Sequence, residues 1–205
     1  ESEELFIYAD PRFIPTATNV RIRVLHRMIH MRRVVNLEFK NLEFFGGAIK
    51  VEGVNILFED CEFKQLHDIT LPAHMNRGDL CTGIYTWNAE FVNCRFSEIP
   101  YVYPVKIRGI KSRVENCHFT NMDWWANPGG GAAELGNIAR YVTFENSKVG
   151  GLGGSHLMEY CRIEDFKDPC DCSGINRGAH GAPRSMTRYN SVSYTHLTLP
   201  TNDLV

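Results

Sequence analysis

The sequence lacks a long apolar run, because no stretch approaches the roughly 18 apolar residues that a membrane-spanning helix needs. It also lacks an excess of charge of one sign: 22 lysines and arginines stand against 24 aspartates and glutamates. The net charge of −2 gives no electrostatic basis for binding nucleic acid. Apolar residues recur along almost the whole chain, which excludes intrinsic disorder. We therefore expect a folded chain with no membrane span and no nucleic-acid partner.

Helical periodicity is absent from every long window, and a short repeat takes its place. The repeat consists of an apolar residue, a variable residue, Asn or Asp, a small residue, another variable residue and a second apolar residue. Its copies, two of them looser, begin at positions 39, 58, 91, 114, 144, 158 and 187. Apolar and polar residues alternate within each copy, which indicates strands. One step, the 14 residues from 144 to 158, is too short for a full coil of three strands.

These seven copies resemble the repeats of right-handed parallel β-helix proteins of the pectate-lyase-like superfamily. No copy is long enough to bury its apolar face alone, so each copy must stack on its neighbours. We predict an all-β fold, a single-stranded right-handed parallel β-helix (solenoid) that is incomplete at the C-terminus. Residues 35–192 would form the repeats, and residues 1–34 would supply strands that lead into the solenoid or cap it.

The first residue and the C-terminal tail both indicate how this sequence relates to the natural protein. Residue 1 is Glu and no leader segment precedes it, so we expect a mature product or a fragment. Residues 193–202 resemble a string that recurs in unrelated metagenomic translations and that arises by read-through into adapter DNA. We therefore expect residues 193–205 to be a non-native tail.

Stacked repeats predict two ladders of like residues. An Asn/Asp ladder at one turn would suit a left-handed backbone conformation, and its expected members are Asn41, Asp60, Asn93, Asn116 and Asn146. A cysteine ladder would point into the core, and its expected members are Cys61, Cys94, Cys117 and Cys161. Coils about 4.8 Å apart separate the Cβ atoms by slightly more than the roughly 3.5–4.5 Å of a disulfide. We therefore expect these four cysteines to be buried free thiols.

A second class of strand lies between the repeats, at 49–53, 84–88, 105–109, 133–137 and 175–178. Alternation directs its apolar residues inward and every second residue outward. The first outward column is predicted to contain Lys50, Tyr85, Lys106, Glu134 and Asn176. The second is predicted to contain Glu52, Trp87, Arg108, Gly136 and Gly178.

Charged and aromatic side chains on one strip suit sugar rings that bear carboxylates, because ring faces stack while cations hold the acid. The expected substrate-binding residues are Lys50, Glu52, Tyr85, Trp87, Trp124, Trp125, Asn176 and Arg177. The alternating charges are also typical of a solvated strand that protects a sheet edge. The sequence leaves both interpretations open.

The resemblance implies two enzyme mechanisms. Lyases of this fold remove the proton next to a uronic acid carboxyl with a Lys or Arg, often with calcium bound by carboxylates. Lys106 is the best candidate for this base, and Arg108 would neutralise the substrate carboxylate. Hydrolases of this fold use two carboxyl groups, for which we would test Glu134 with Asp168 or Asp171.

The sequence therefore predicts a secreted, monomeric bacterial protein that is a polysaccharide lyase or glycoside hydrolase acting on an acidic or plant/algal-type polysaccharide. Secretion follows from the resemblance alone. Calcium is the one cofactor that the resemblance suggests, and no metal ligands are assigned. The alternative is a non-catalytic β-helix that binds carbohydrate, acts as an adhesin or serves as a structural spacer, because no family catalytic signature matches cleanly.

Overall fold

The computed structural model describes residues 27–66, 83–99, 105–122, 133–147, 152–153, 155–166, 175–176 and 186–193. These residues form strands and turns without a helix, and hence without one that could cross a membrane. Every strand pairing among them is parallel. The predicted all-β parallel solenoid is confirmed.

Two sheets contain these strands. The first sheet contains β1 (Arg27–Lys40), β3 (Ala48–Glu59), β5 (Ile84–Val92), β7 (Val105–Arg108), β8 (Arg113–Glu115), β10 (Ala133–Leu135), β11 (Ile138–Arg140), β13 (Leu152–Gly153), β14 (Leu157–Glu159), β16 (Ile175–Asn176) and β17 (Met186–Arg188). The second sheet contains β2 (Glu43–Phe45), β4 (Glu62–Lys64), β6 (Arg95–Ser97), β9 (His118–Thr120), β12 (Thr143–Ser147), β15 (Arg162–Phe166) and β18 (Ser191–Ser193).

The first sheet consists of two parts that share the long strands β1, β3 and β5. β5 pairs through its first half with β7 and through its second half with β8. Each coil therefore contributes a first and a second segment to this sheet and a third segment to the other. In the first three coils the two segments form one long strand, interrupted by a bulge between Glu52 and Ile56 in β3. The first described coil is paired from Arg27 onward, within the region predicted to lead into the solenoid or to cap it.

Two stacks of phenylalanine rings form the centre of the core. One stack joins the second segments, where the Phe58 ring lies parallel to those of Phe39 and Phe91 at centroid distances of 4.7 and 4.6 Å. The other stack joins the third segments and includes Phe63 and Phe96, 4.8 Å apart. Each fully buried ring contributes about 1.5–3 kcal/mol to folding through the area it removes from water. The repeat thus places like rings in contact on successive coils.

The coils turn at residues with a left-handed backbone. Asn41, Asp60, Asn93 and Asn116 have φ between 52° and 55°, a region that Asn and Asp tolerate better than most residues. The Asn116 side-chain amide donates to Asn93 Oδ1 over 2.8 Å. The Asn/Asp ladder is confirmed for these four residues.

Asn146 does not belong to this ladder, and that prediction is wrong. Phe144 pairs with Phe119 of the third segment, so Asn146 lies at the next corner, where it donates to Asn121. The true fifth copy begins at Ala139, which pairs with Val114 and Met158. The steps from 114 to 139 and from 139 to 158 are then 25 and 19 residues. The 14-residue step came from this misalignment.

Tyrosines replace Asn at the same corner of the last three described coils. Tyr141, Tyr160 and Tyr189 have φ of 52–56°, and adjacent rings stack at 5.2 Å. Beside them Glu159 accepts hydrogen bonds from Arg140, at 2.8 Å, and from Arg188. Burial acts to raise the pKa of Glu159, but these bonds outweigh it and hold the pKa below its usual value. Ring stacking and paired charge thus replace the amide ladder here.

Cys61, Cys94, Cys117 and Cys161 are buried free thiols, as predicted. Burial raises the pKa of Cys61 and of Cys161. A hydrogen bond with Cys117 and burial raise the pKa of Cys94. The sulfurs contact carbonyl oxygens, for example Cys94 Sγ with Val92 O at 3.3 Å. Their burial and their contacts with backbone oxygens are typical of core thiols rather than of nucleophiles.

Thr86 provides a test of this core. It pairs with Val51 and Ile107 in the inward column, it is fully buried, and its hydroxyl has no partner among the described residues. We expect Thr86→Val to raise the free energy of unfolding by about 1 kcal/mol, because it removes an unsatisfied buried hydroxyl. Urea denaturation measures this. The control Thr143→Val, at a half-buried position of the other sheet, should change stability by less than about 0.5 kcal/mol. Equal changes in both variants would contradict the assignment.

Candidate functional site

The first segments carry their charged side chains on the face opposite the core. Ile49, Ile84 and Val105 lie in one inward column, so the residues between inward positions point outward. The first outward column contains His30, Lys50, Tyr85, Lys106 and Glu134, and the backbone register continues it through Gly153 and Asn176. The second contains Arg32, Glu52, Trp87 and Arg108. We call these two columns the outward strip.

The structure extends the predicted strip by three residues. His30 and Arg32 join it because they pair with Lys50 and Glu52. Apolar and polar residues alternate in 29–32 as they do in 49–52. However, a bulge between Arg32 and Val34 changes the spacing between this segment and the phenylalanine repeat by one residue. Gly153 joins it as the sixth-coil position between Glu134 and Asn176.

The Tyr85 ring lies at the centre of the strip. On the preceding coil, Lys50 Nζ lies 4.7 Å from the centroid of the Tyr85 ring. On the following coil, Arg108 Cζ lies 6.0 Å from the same centroid. Only 9% of Tyr85 is exposed. Cations above an aromatic face are attracted by the ring quadrupole, so Tyr85 holds both basic side chains in place.

Arg108 and Glu134 form a two-point ion pair between adjacent coils. Arg108 Nε donates to Glu134 Oε2 over 2.9 Å, and a second guanidinium nitrogen donates to Oε1 over 3.4 Å. Both side chains are partly buried. The sequence suggested that Arg108 would meet a substrate carboxylate; in the structure it meets the carboxylate of Glu134. A substrate acid would therefore have to displace Glu134 or share the guanidinium with it.

Lys106 and Trp87 differ sharply in exposure. Lys106 pairs with Tyr85 and Glu134 and is only 4% exposed, although it lies in an outward column. Trp87 is 45% exposed. The strip therefore combines a buried primary amine with an accessible indole, which can offer its face to a sugar ring.

Some predicted positions fall elsewhere. Gly136 is not part of the second column: the pairing of β7 with β10 ends at Leu135, and Gly136 has φ +71° at the corner. A Cβ there would lie 2.2 Å from Ser112 Oγ, so this corner requires glycine. Asn176 is placed by its backbone register with Gly153. The remaining predicted positions lie outside the described residues: Trp124, Trp125, Asp168, Asp171, Arg177 and Gly178.

Metal binding has no support in the described part of the chain. None of its His, Cys, Asp and Glu side chains form a group of three or more that could hold an ion. The carboxylates of the strip, Glu52 and Glu134, bind Lys50 and Arg108 instead. Calcium stays a prediction that rests on the resemblance alone.

No protein family, curated protein or solved structure matches the chain.

The contribution of the Arg108–Glu134 ion pair to stability can be measured by a double-mutant cycle. We expect Arg108→Gln and Glu134→Gln to be coupled by about 1 kcal/mol in the free energy of unfolding, because the pair is two-point and partly buried. The control cycle uses Arg113 and Glu90, which also join adjacent coils, over 2.7 Å, but are more exposed. Its coupling should be about 0.3 kcal/mol. Urea denaturation gives both values. If the coupling energy of Arg108 and Glu134 is no larger than that of the control pair, the two-point geometry does not strengthen the ion pair.

Proposed function

We propose that the chain is a carbohydrate-active solenoid that binds an acidic polysaccharide along the outward strip and cleaves it by β-elimination. The observation that carries the proposal is the set of side chains brought into register there. A buried lysine lies between an aromatic ring and a carboxylate, two residues from an arginine and one coil from an exposed tryptophan. The parallel coils and the resemblance of the repeats support membership of the pectate-lyase-like superfamily.

The proposed reaction uses Lys106 as the base. Its amine takes the proton on the carbon next to the uronic acid carboxyl, and the electron pair forms a double bond to the neighbouring carbon. The glycosidic carbon–oxygen bond of that neighbour breaks, and its oxygen leaves with a proton from solvent. Arg108 stabilises the charge that develops on the carboxylate. Tyr85, which contacts Arg108, positions the guanidinium.

Binding without cleavage is the second candidate, and one contact favours it. Arg108 and Glu134 satisfy each other, as expected of a rigid binding surface whose charges are already compensated. Hydrolysis would instead need Glu134 to act with a second carboxyl group, and its predicted partners Asp168 and Asp171 lie outside the described residues. Secretion is part of the proposal, since acidic polysaccharides of this kind are extracellular.

The reaction is tested by incubating the folded chain, with and without calcium, with acidic and neutral polysaccharides. Reducing ends and the ultraviolet absorbance of unsaturated uronides are read together. We expect both signals from an acidic polymer. New ends without absorbance would mean hydrolysis, and a bound but intact polymer would mean the binding module; either would overturn the elimination mechanism. A chain that neither binds nor cleaves would overturn the proposed function.

The same assay assigns the residues. We expect Lys106→Met, which keeps the apolar stem, to lower turnover by about 10²- to 10⁴-fold. Glu134→Ala should also lower it, because Arg108 loses the ion pair that positions its guanidinium. The controls Lys64→Met and Glu62→Ala lie on the second sheet and should retain full turnover. Unchanged turnover in both strip variants would exclude the strip as the site of reaction.

A further inference from the structure

The first described coil of the outward strip carries two basic residues that the rest of the strip does not neutralise. His30 and Arg32 both lie on β1 and are exposed. They continue the two outward columns, because His30 pairs with Lys50 and Arg32 with Glu52. Coils stack about 4.8 Å apart. Arg32 is therefore about 10 Å along the strip from Trp87, within the span of a short oligosaccharide.

Charge on the other described coils of the strip is largely compensated. Lys50 Nζ lies 3.4 Å from Glu52, and Arg108 is bound to Glu134. Glu52 lies opposite Arg32 on the adjacent strand, but its carboxylate already forms an ion pair with Lys50. Neither His30 nor Arg32 has an ion-pair or hydrogen-bond partner among the described residues. Among the described residues, the exposed cation of the strip without an ion-pair partner is therefore Arg32 on the first described coil rather than Arg108.

We infer that His30 and Arg32 form an anion-binding subsite that holds an acidic group of the bound polysaccharide, an inference that rests on the proposed function. The guanidinium of Arg32 offers a planar pair of donors that fits a carboxylate or a sulfate. The imidazole of His30 lies in the neighbouring column and supplies a further donor. The polymer is anchored by its charge at coil one and by ring stacking at Trp87, and its path continues toward Lys106 on coil four.

The subsite is tested by affinity electrophoresis of the full chain in gels that contain polygalacturonate, dextran sulfate or neutral dextran. We expect Arg32→Gln to weaken binding of the preferred anionic polymer about five- to tenfold, the loss of one charge-assisted contact. Arg32→Lys should fall between the wild type and Arg32→Gln, because it keeps the charge but loses the fork. Comparing polygalacturonate with dextran sulfate shows whether the subsite prefers a carboxylate or a sulfate.

The matched control is Arg95→Gln, which removes the same charge from an exposed position on the second sheet. It should leave retardation within twofold of the wild type. If Arg32→Gln and Arg95→Gln behave alike while the wild type binds an anionic polymer, the subsite is wrong and the proposed function stands. If the wild type binds none of the polymers, or binds dextran equally well, the proposed function itself fails. Circular dichroism and melting curves confirm that each variant is folded.

Discussion

The in-register stacking of like side chains on parallel coils is the interaction on which the rest of the structure depends. Each short repeat has too little apolar surface to fold alone. Stacking pairs Phe58 with Phe91 and Phe63 with Phe96, and the contacts extend through both sheets. Backbone pairing then fixes the register, because a slip of one residue would turn every inward side chain outward. Left-handed corners at residues such as Asn93 and Asn116 allow the chain to turn without breaking that register.

The same register creates the candidate site. A charged or aromatic residue on one strand has little meaning alone, but stacking places Lys50, Tyr85 and Lys106 in one column. The column lies over the core, and Tyr85 contacts basic side chains on the coils before and after it. The site is thus a property of the stack, and its chemistry depends on which coil supplies which charge. Among the described residues, ion pairs occupy the middle coils, and the exposed arginine without an ion-pair partner lies on the first described coil.

Alternation and repeats were enough to predict the parallel solenoid, the buried thiols and most of the strip, because these features recur with the coil. The fifth copy was misplaced since its inward position holds Ala139 and its corner holds Tyr141, so neither the phenylalanine nor the asparagine signal was present. His30 and Arg32 were missed because a bulge shifts them by one residue. The bond between Arg108 and Glu134 depends on side-chain geometry across two coils, which no linear pattern encodes.

An acidic polysaccharide bound along the outward strip, as we propose, would cover Trp87, and hydroxyl-radical footprinting measures that protection. Trp87 is exposed on the strip, while Tyr141, Tyr160 and Tyr189 are exposed at another corner and serve as internal references. We predict that an acidic polymer lowers oxidation of Trp87, that neutral dextran does not, and that neither polymer protects the three tyrosines. Oxidation of Trp87 that is unchanged by the bound acidic polymer, or protection of the tyrosines instead, would contradict the account.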